Sequence, residues 1–209
     1  MRLRIFLVLI GAILVAATYT YPLWRPLVVN TVVEEPFPGL PADRQTAFTQ
    51  LPPDQQAAFL QMAQQDRDMA VAMAMAALEP PSTAAEDQSA PDTAAAVEVA
   101  SGQFDRIDAV HWAQGKATIY SFPDNRKLLR LEDFQVANGP DLRVLLAASV
   151  APRTPEEVQL GNLDIELGRL KGNIGNQNYE IPPEVDLSLY NSVVIYCQEF
   201  HVVFSTATI

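Results

Sequence analysis

The sequence has very few residues of the kinds that build covalent or metal-bound frameworks. It contains one cysteine, Cys197, and two histidines, His111 and His201, among 209 residues. One cysteine excludes a disulfide within the chain and a metal site made of several thiolates. Two histidines exclude a three-histidine site in one chain. We therefore predict no metal site, and the sequence does not specify a cofactor.

Basic residues are also scarce, with 14 Lys and Arg against 25 Asp and Glu and a net charge of −11. Such a chain repels phosphate backbones, so we expect no nucleic-acid partner. The sequence also lacks a glycine-rich phosphate loop, a nucleophile elbow and a zinc-protease helix. It thus gives no positive evidence for an enzyme.

Residues 1–25 contain the longest uncharged stretch of the chain. Arg2 and Arg4 precede residues 5–24, about 20 residues that at ~1.5 Å rise per residue span a ~30 Å hydrocarbon core. Aromatic residues at the far end favour the headgroup level. We expect a transmembrane anchor that attaches the protein to the cell membrane, with the rest of the chain outside the cytoplasm. The alternative is a cleaved signal peptide and a secreted or periplasmic protein, because the most apolar part is only about 13 residues long.

The middle of the chain divides into a helical part and a linker. Residues 26–78 begin with a proline-rich extended segment, and good helix formers at 43–50 and 54–78 then predict a small helical hairpin. Residues 79–100 are rich in proline, alanine, serine, threonine and acid, so we expect a disordered linker.

Three methionines, Met62, Met69 and Met73, share one face of the second predicted helix. Thioether sulfur suits Cu(I). The pattern is nevertheless more typical of adaptable apolar packing, and we interpret it in that way.

Residues 101–209 read as one mainly β domain. Segments rich in β-branched and aromatic residues recur between turn signals, which is typical of an antiparallel β-sandwich or barrel. Gly115 is predicted to form a turn within the first segment. The predicted segments are 111–120, 127–134, 142–148, 164–171, 178–181 and 192–204.

The same residues carry a series of short motifs in a fixed order. They are His111 with Gly115-Lys116-Ala117, Leu128-Leu129-Arg130-Leu131-Glu132-Asp133-Phe134, Gly139-Pro140-Asp141-Leu142, Leu167-Gly168-Arg169-Leu170-Lys171-Gly172, Gly175-Asn176-Gln177-Asn178-Tyr179-Glu180-Ile181-Pro182, and Val194-Ile195-Tyr196-Cys197 with Phe200 and Phe204. Together they resemble the DM-thirteen domain family. The resemblance implies a β-rich extracellular module with a proposed role in electron transfer. In that family the role rests on a characteristic cysteine, here Cys197.

Cys197 admits three interpretations. Free cysteine is often buried and inert. An exposed lone thiol outside the cytoplasm is oxidised unless it is used, which favours a redox or ligand role. An intermolecular disulfide is the third. His111 is the candidate helper, because a nearby imidazolium lowers a thiol pKa. On an unbroken strand His201 would lie about 13 Å from Cys197, unless a turn at Gln198 and Glu199 intervenes.

Three of the four polar residues considered in predicted loops have both a structural and a binding interpretation. Asp141 is expected to brace a turn, and Asn176, Gln177 and Asn178 either brace a tight loop or bind a carbohydrate. Our leading hypothesis is a membrane-tethered extracytoplasmic redox module that uses Cys197, with His111 as helper and a redox partner protein. The alternative is a structural, adhesive or carbohydrate-binding β-module with an inert buried cysteine.

Overall fold

The computed structural model describes residues 2–21, 36–84 and 96–209. These belong to two compact units, Met1–Pro36 and Phe37–Ile209. The first unit contains helix α1, Arg2–Tyr19. Across the three described ranges, no helix combines the length and the apolar character needed to cross a membrane. The anchor therefore stays a prediction. Its last residues, including Trp24, lie outside the described residues, as does most of the predicted extended segment.

The second unit begins with three helices where the sequence predicted two. They are α2 (Ala42–Thr49), α3 (Pro53–Gln65) and α4 (Arg67–Ala77). The predicted helix over 54–78 is divided at Asp66, whose backbone is extended and whose carboxylate accepts a hydrogen bond of 2.9 Å from the Met69 amide. Asp66 therefore caps the N-terminus of α4, and α3 ends at the preceding residue, Gln65.

Aromatic packing and one glutamine hold these helices together. The rings of Phe37 and Phe48 lie 4.6 Å apart, and Phe48 and Phe59 lie 6.1 Å apart. Gln45 accepts a hydrogen bond from the Phe37 amide and donates to the carbonyls of Phe37 and Leu40. Met73 is buried in the same core, with Met62 and Met69 packed against it. The methionines thus serve packing here.

The rest of the unit is one antiparallel sheet of eight strands within the described residues, in the order β5-β4-β7-β8-β1-β2-β3-β6. The two edges approach each other, since Tyr179 on β6 donates a hydrogen bond to the Arg169 carbonyl on β5. The sheet is therefore a nearly closed barrel. The strands are β1 (Val97–Arg106), β2 (Ala113–Ser121), β3 (Lys127–Val136), β4 (Leu142–Ala147), β5 (Ile165–Arg169), β6 (Gln177–Ile181), β7 (Ser192–Cys197) and β8 (Val202–Thr208).

Alternation along β7 decides which side chains enter the barrel. Val193, Ile195 and Cys197 belong to the main core, whereas Val194 and Tyr196 belong to a smaller cluster on the other face of the sheet. Successive side chains of a strand point to opposite faces. Cys197 is therefore the last inward-facing residue of its strand.

The prediction of a turn at Gly115 is wrong. Strand β2 runs continuously through it, with a shift of pairing between Gln114 and Lys116. Gly115 has a φ of 107°, and a β-carbon there would lie 2.6 Å from the Glu132 carbonyl oxygen. The glycine thus forms a β-bulge. A bulge and a turn both need a residue that tolerates positive φ, and the local sequence does not distinguish them.

The predicted linker is ordered at both of its ends. Residues 85–95 lie outside the described part, but Ser82 to Ala84 lie against Ile174. Ala84 donates a hydrogen bond to the Ile174 carbonyl, and the amides of Asn173 and Ile174 donate to the Ser82 carbonyl. We call residues 82–84 the strap. A β-carbon on Gly172 would collide with the Ala84 backbone, so glycine is needed beneath the strap. Strand β1 already begins at Val97, inside the segment expected to be disordered.

Candidate functional site

The Cys197 thiol lies at the end of β7 and is closed to solvent. Its side chain is fully buried, and Sγ donates a hydrogen bond of 2.8 Å to the Pro140 carbonyl. Across the sheet Cys197 pairs with Leu142 on β4 and Val202 on β8. The thiol is thus free of any disulfide but has a polar partner in the turn that leads into β4.

The turn Gly139-Pro140-Asp141 covers the thiol and is braced from outside. The Gln198 amide donates to the Asp141 carbonyl, which joins the turn to the end of β7. The Asp141 carboxylate accepts hydrogen bonds of 2.9 and 3.0 Å from the Arg143 guanidinium, which also donates to Glu166. This hydrogen bond from Arg143 lowers the pKa of Asp141. Asp141 thus braces a turn, and its charge helps keep the Cys197 site closed.

Burial raises the pKa of the Cys197 thiol above its usual value. The backbone amides of Phe200 and Glu199 act in the opposite direction, whereas the negative charges of Glu199 and Asp141 add to the effect of burial. In this arrangement the thiol is protonated at neutral pH, and a protonated thiol is a poor nucleophile. An activated thiolate would require the Gly139–Asp141 turn to open.

His111 lies in a second turn, where Asp108 clasps it. One oxygen of the Asp108 carboxylate accepts the amide hydrogens of Val110 and His111, and the other lies 2.7 Å from Nδ1 of His111. Burial acts to raise the pKa of Asp108, but its hydrogen bonds with His111 prevail and lower it. The ionised carboxylate therefore holds the hydrogen on Nδ1.

The other nitrogen of His111 is unusual. Nε2 is buried and has no hydrogen-bond partner among the described residues. Leaving a buried polar atom unpaired costs about 1–3 kcal/mol. With Nδ1 held by Asp108, Nε2 of a neutral ring presents a free lone pair, the arrangement found in metal-binding and proton-accepting histidines. No cluster of three or more His, Cys, Asp or Glu side chains suited to a metal ion occurs in the part of the chain that the structure describes.

Phe204 connects the surroundings of His111 and Cys197. Its ring packs edge-on against His111, with centroids 4.9 Å apart, and a β-carbon on Gly139 would collide with it. Gly139 begins the turn that covers the thiol. Phe204 thus contacts both His111 and the turn that covers the thiol, but within the described residues no hydrogen bond joins His111 to Cys197.

His201 lies apart from the thiol. It sits in the turn between β7 and β8 with a φ of 54° and is exposed. Its Nδ1 lies 3.2 Å from the Tyr196 hydroxyl, and Tyr196 packs on the face of β7 opposite to Cys197. The turn that would bring His201 back along the strand exists, but it directs His201 to the other face.

The amides at 176–178 are engaged within the protein. Asn176 accepts from the Asp133 amide, and Asn178 accepts from Arg130. Gln177 is buried, accepts from the Lys171 amide and donates to the Gly172 carbonyl. The contacts of Asn176 and Asn178 join the β6 region to β3, and those of Gln177 join β6 to the segment that follows β5.

Two site residues were not identified from the sequence. Asp108 has a local signal, because an aspartate three residues before a histidine is spaced to accept both its amide and its ring hydrogen. Pro140 has none, because the acceptor is a backbone carbonyl 57 residues from the thiol.

Residues 103–209 match the family described as Electron transfer DM13. Because the match covers just over half of the chain, the protein belongs to this family of electron-transfer domains. No match was found among curated proteins, and none among solved structures.

Proposed function

We propose that this protein is an electron-transfer module, tethered outside the cytoplasm by its N-terminal helix, whose redox residue is Cys197. Membership of the electron-transfer DM13 family carries the proposal. Cys197 is the only thiol of the chain, and it is free of a disulfide and buried. His111 supports it with a buried imidazole whose orientation is set by Asp108.

The proposed step is a one-electron oxidation of Cys197 by a redox partner protein with a one-electron centre. The electron passes to the partner, the S–H bond breaks, and the proton passes to a base. Nε2 of His111 has the free lone pair for this role once the Gly139–Asp141 turn and Phe204 shift. The reverse step returns the electron to sulfur and the proton to the thiol.

The closed thiol also favours the alternative, a structural or adhesive module with an inert cysteine. A fully buried thiol with a raised pKa is the arrangement expected of a packing residue. Redox titration of protein purified from its native membrane, with an absorbance spectrum and metal analysis, separates the two functions. Electron transfer requires a reversible one-electron signal that Cys197→Ser abolishes. A protein with no such signal would be the structural module.

The reactivity of Cys197 gives a second test. We expect alkylation of the folded protein at pH 7 to be far slower than that of the urea-unfolded chain, because the thiol is buried and protonated. If His111 assists the thiol, His111→Ala raises its apparent pKa further, whereas His201→Asn, on the other face of β7, leaves it unchanged. Equal effects of the two histidine variants on the thiol pKa would contradict a role for His111 in assisting Cys197.

Stability should depend on pH through the same group. The unfolded thiol, with a pKa of about 8.5, loses its proton first as pH rises, because the folded pKa is raised. The free energy of unfolding should therefore fall as pH rises above that value, and the fall should be smaller in Cys197→Ser. The serine hydroxyl can still donate to Pro140, so near neutral pH we expect Cys197→Ser to cost less than Cys197→Ala. Denaturant titrations at pH 7 and above measure both effects.

The tether is tested separately. Residues 5–24 are uncharged and flanked by arginines, so we expect the protein to remain with the membrane after an alkaline carbonate wash. Protease added from outside should remove the β domain. A soluble form that begins near Thr18 would instead show a cleaved signal peptide.

A further inference from the structure

A cleft between the helices and the barrel has the chemistry of a small-molecule site. Two adjoining cavities share Gln55 of α3 and Trp112, which precedes β2. The larger has a volume of about 350 Å³, within the range of roughly 300–1,000 Å³ typical of ligand sites. Both belong to the compact unit Phe37–Ile209. We call this the Trp112 cleft.

Trp112 supplies an accessible aromatic surface. Its side chain is partly exposed, and the only hydrogen bond formed by the residue among described residues is from the Ala137 amide to its backbone carbonyl. The indole N–H is therefore free to donate. A tryptophan with an open face and an unpaired N–H suits a ligand that is apolar on one side and polar at its edge.

Side-chain amides surround the indole and retain unused hydrogen-bonding groups. Gln114 and Gln135 face each other across β2 and β3, and Nε2 of Gln114 donates to Oε1 of Gln135 over 3.0 Å. This leaves the Gln114 oxygen as an acceptor and the Gln135 nitrogen as a donor. Asn138 donates to the Glu79 carbonyl and keeps its own oxygen as an acceptor. Gln55 makes no side-chain hydrogen bond within the described part, so its amide offers both.

Of the two charged side chains of the cleft, Glu79 has an ion-pair partner, whereas Arg106, among the described residues, forms hydrogen bonds with backbone carbonyls only. Arg106 donates to the carbonyls of Asp108 and Ala109, and Glu79 is paired with Arg44 at 3.0 Å. Apart from the Arg106 guanidinium, the cleft offers neutral donors and acceptors. One guanidinium engaged with carbonyls is not the concentrated positive charge of a phosphate site, and Glu79, paired with Arg44, does not supply the negative charge that a metal cation needs.

We propose that the Trp112 cleft binds a neutral oligosaccharide. The apolar C–H face of a sugar ring packs on the indole, and its hydroxyls, each both donor and acceptor, pair with the amides of Gln55, Gln135 and Asn138. A proline-rich peptide is less suitable, because such peptides dock in grooves lined by several aromatic rings. Trp112 is the exposed ring here, while Phe59 at the cleft wall is buried. The site is separate from Cys197 and from residues 176–178.

Tryptophan fluorescence tests the proposal directly, because the chain contains two tryptophans, Trp24 and Trp112. In the full-length protein with Trp24→Phe, Trp112 alone reports. We expect a saturable blue shift with at least one of cellohexaose, maltohexaose and chitohexaose. Each of Gln55→Ala and Gln135→Ala removes a hydrogen-bonding group and should weaken binding about threefold to tenfold.

Gln61→Ala is the matched control, since Gln61 lies exposed on the same helix as Gln55 and outside the cleft. It should bind as tightly as the parent. The proposal is overturned if none of the three sugars shifts the emission, or if Gln61→Ala weakens binding as much as Gln55→Ala. A response confined to anionic polygalacturonate or to a proline-rich peptide would also overturn it. Because Cys197 is untouched in every variant, the outcome is independent of the redox function.

Discussion

Replacing Phe204 by alanine should lower the free energy of unfolding by about 3–5 kcal/mol, the usual cost of removing a buried aromatic ring. Phe204 is 1% exposed. The substitution should also open the Cys197 site, because the ring packs against His111 and against Gly139 of the turn that covers the thiol. We therefore expect alkylation of Cys197 under native conditions to become much faster than in the parent.

The control must separate local opening from general destabilisation. Phe122 is also buried, at 7% exposed, but it precedes the turn between β2 and β3 and has the Arg126 guanidinium 4.8 Å from its ring centroid. Phe122→Ala should destabilise the protein without a comparable gain in thiol reactivity at low denaturant. If both variants react at rates that follow only their stabilities, Phe204 does not help close the site.

The strands were the most predictable part of the fold. Segments such as 127–134 and 142–148 correspond to β3 and β4 within one or two residues. Their buried apolar residues alternate or run continuously between turn signals, and both patterns follow from the two-residue period of a strand. The sequence could not distinguish a barrel from a sandwich. The barrel depends on a contact between β5 and β6, and neither segment carries a sequence pattern that predicts this contact.

Strand β1 is the main element of the fold that the sequence patterns did not predict. Its first half, Val97 to Ala100, looks like the end of an alanine-rich acidic linker, and its apolar residues Val97 and Val99 are exposed. The segment is a strand because it pairs with β2, where Ala100 lies opposite Ile119. Local composition cannot report such a pairing.

In the Cys197 site, too, some features follow from the local sequence and others from contacts between residues far apart in the chain. The inward direction of Cys197 follows from alternation along β7, and the clasp of His111 by Asp108 follows from a three-residue spacing. The closed state of the thiol does not follow from either. It requires the Pro140 carbonyl, the Phe204 ring and the Arg143 brace on Asp141 to converge on the end of one strand.

The largest departure from the predicted organisation concerns where the β domain begins, and three fragments test it. Fragment 37–209 contains the whole compact unit, 79–209 lacks the helices but keeps the strap, and 101–209 lacks both and the first residues of β1. We expect 37–209 to unfold cooperatively with the stability of the full chain. Phe37, Phe48 and Phe59 share a continuous core cluster with the barrel residues, so removal of the helices should destabilise 79–209.

Fragment 101–209 should be the least stable. It loses the three backbone hydrogen bonds between the strap and residues 173–174, worth about 2–4 kcal/mol together, and the pairing of Val97 to Ala100 with β2. Urea titrations followed by far-UV circular dichroism give the order directly. A fragment 101–209 as stable and cooperative as 37–209 would restore the boundary expected from composition. The strap and helices would then be attached to a barrel that does not need them.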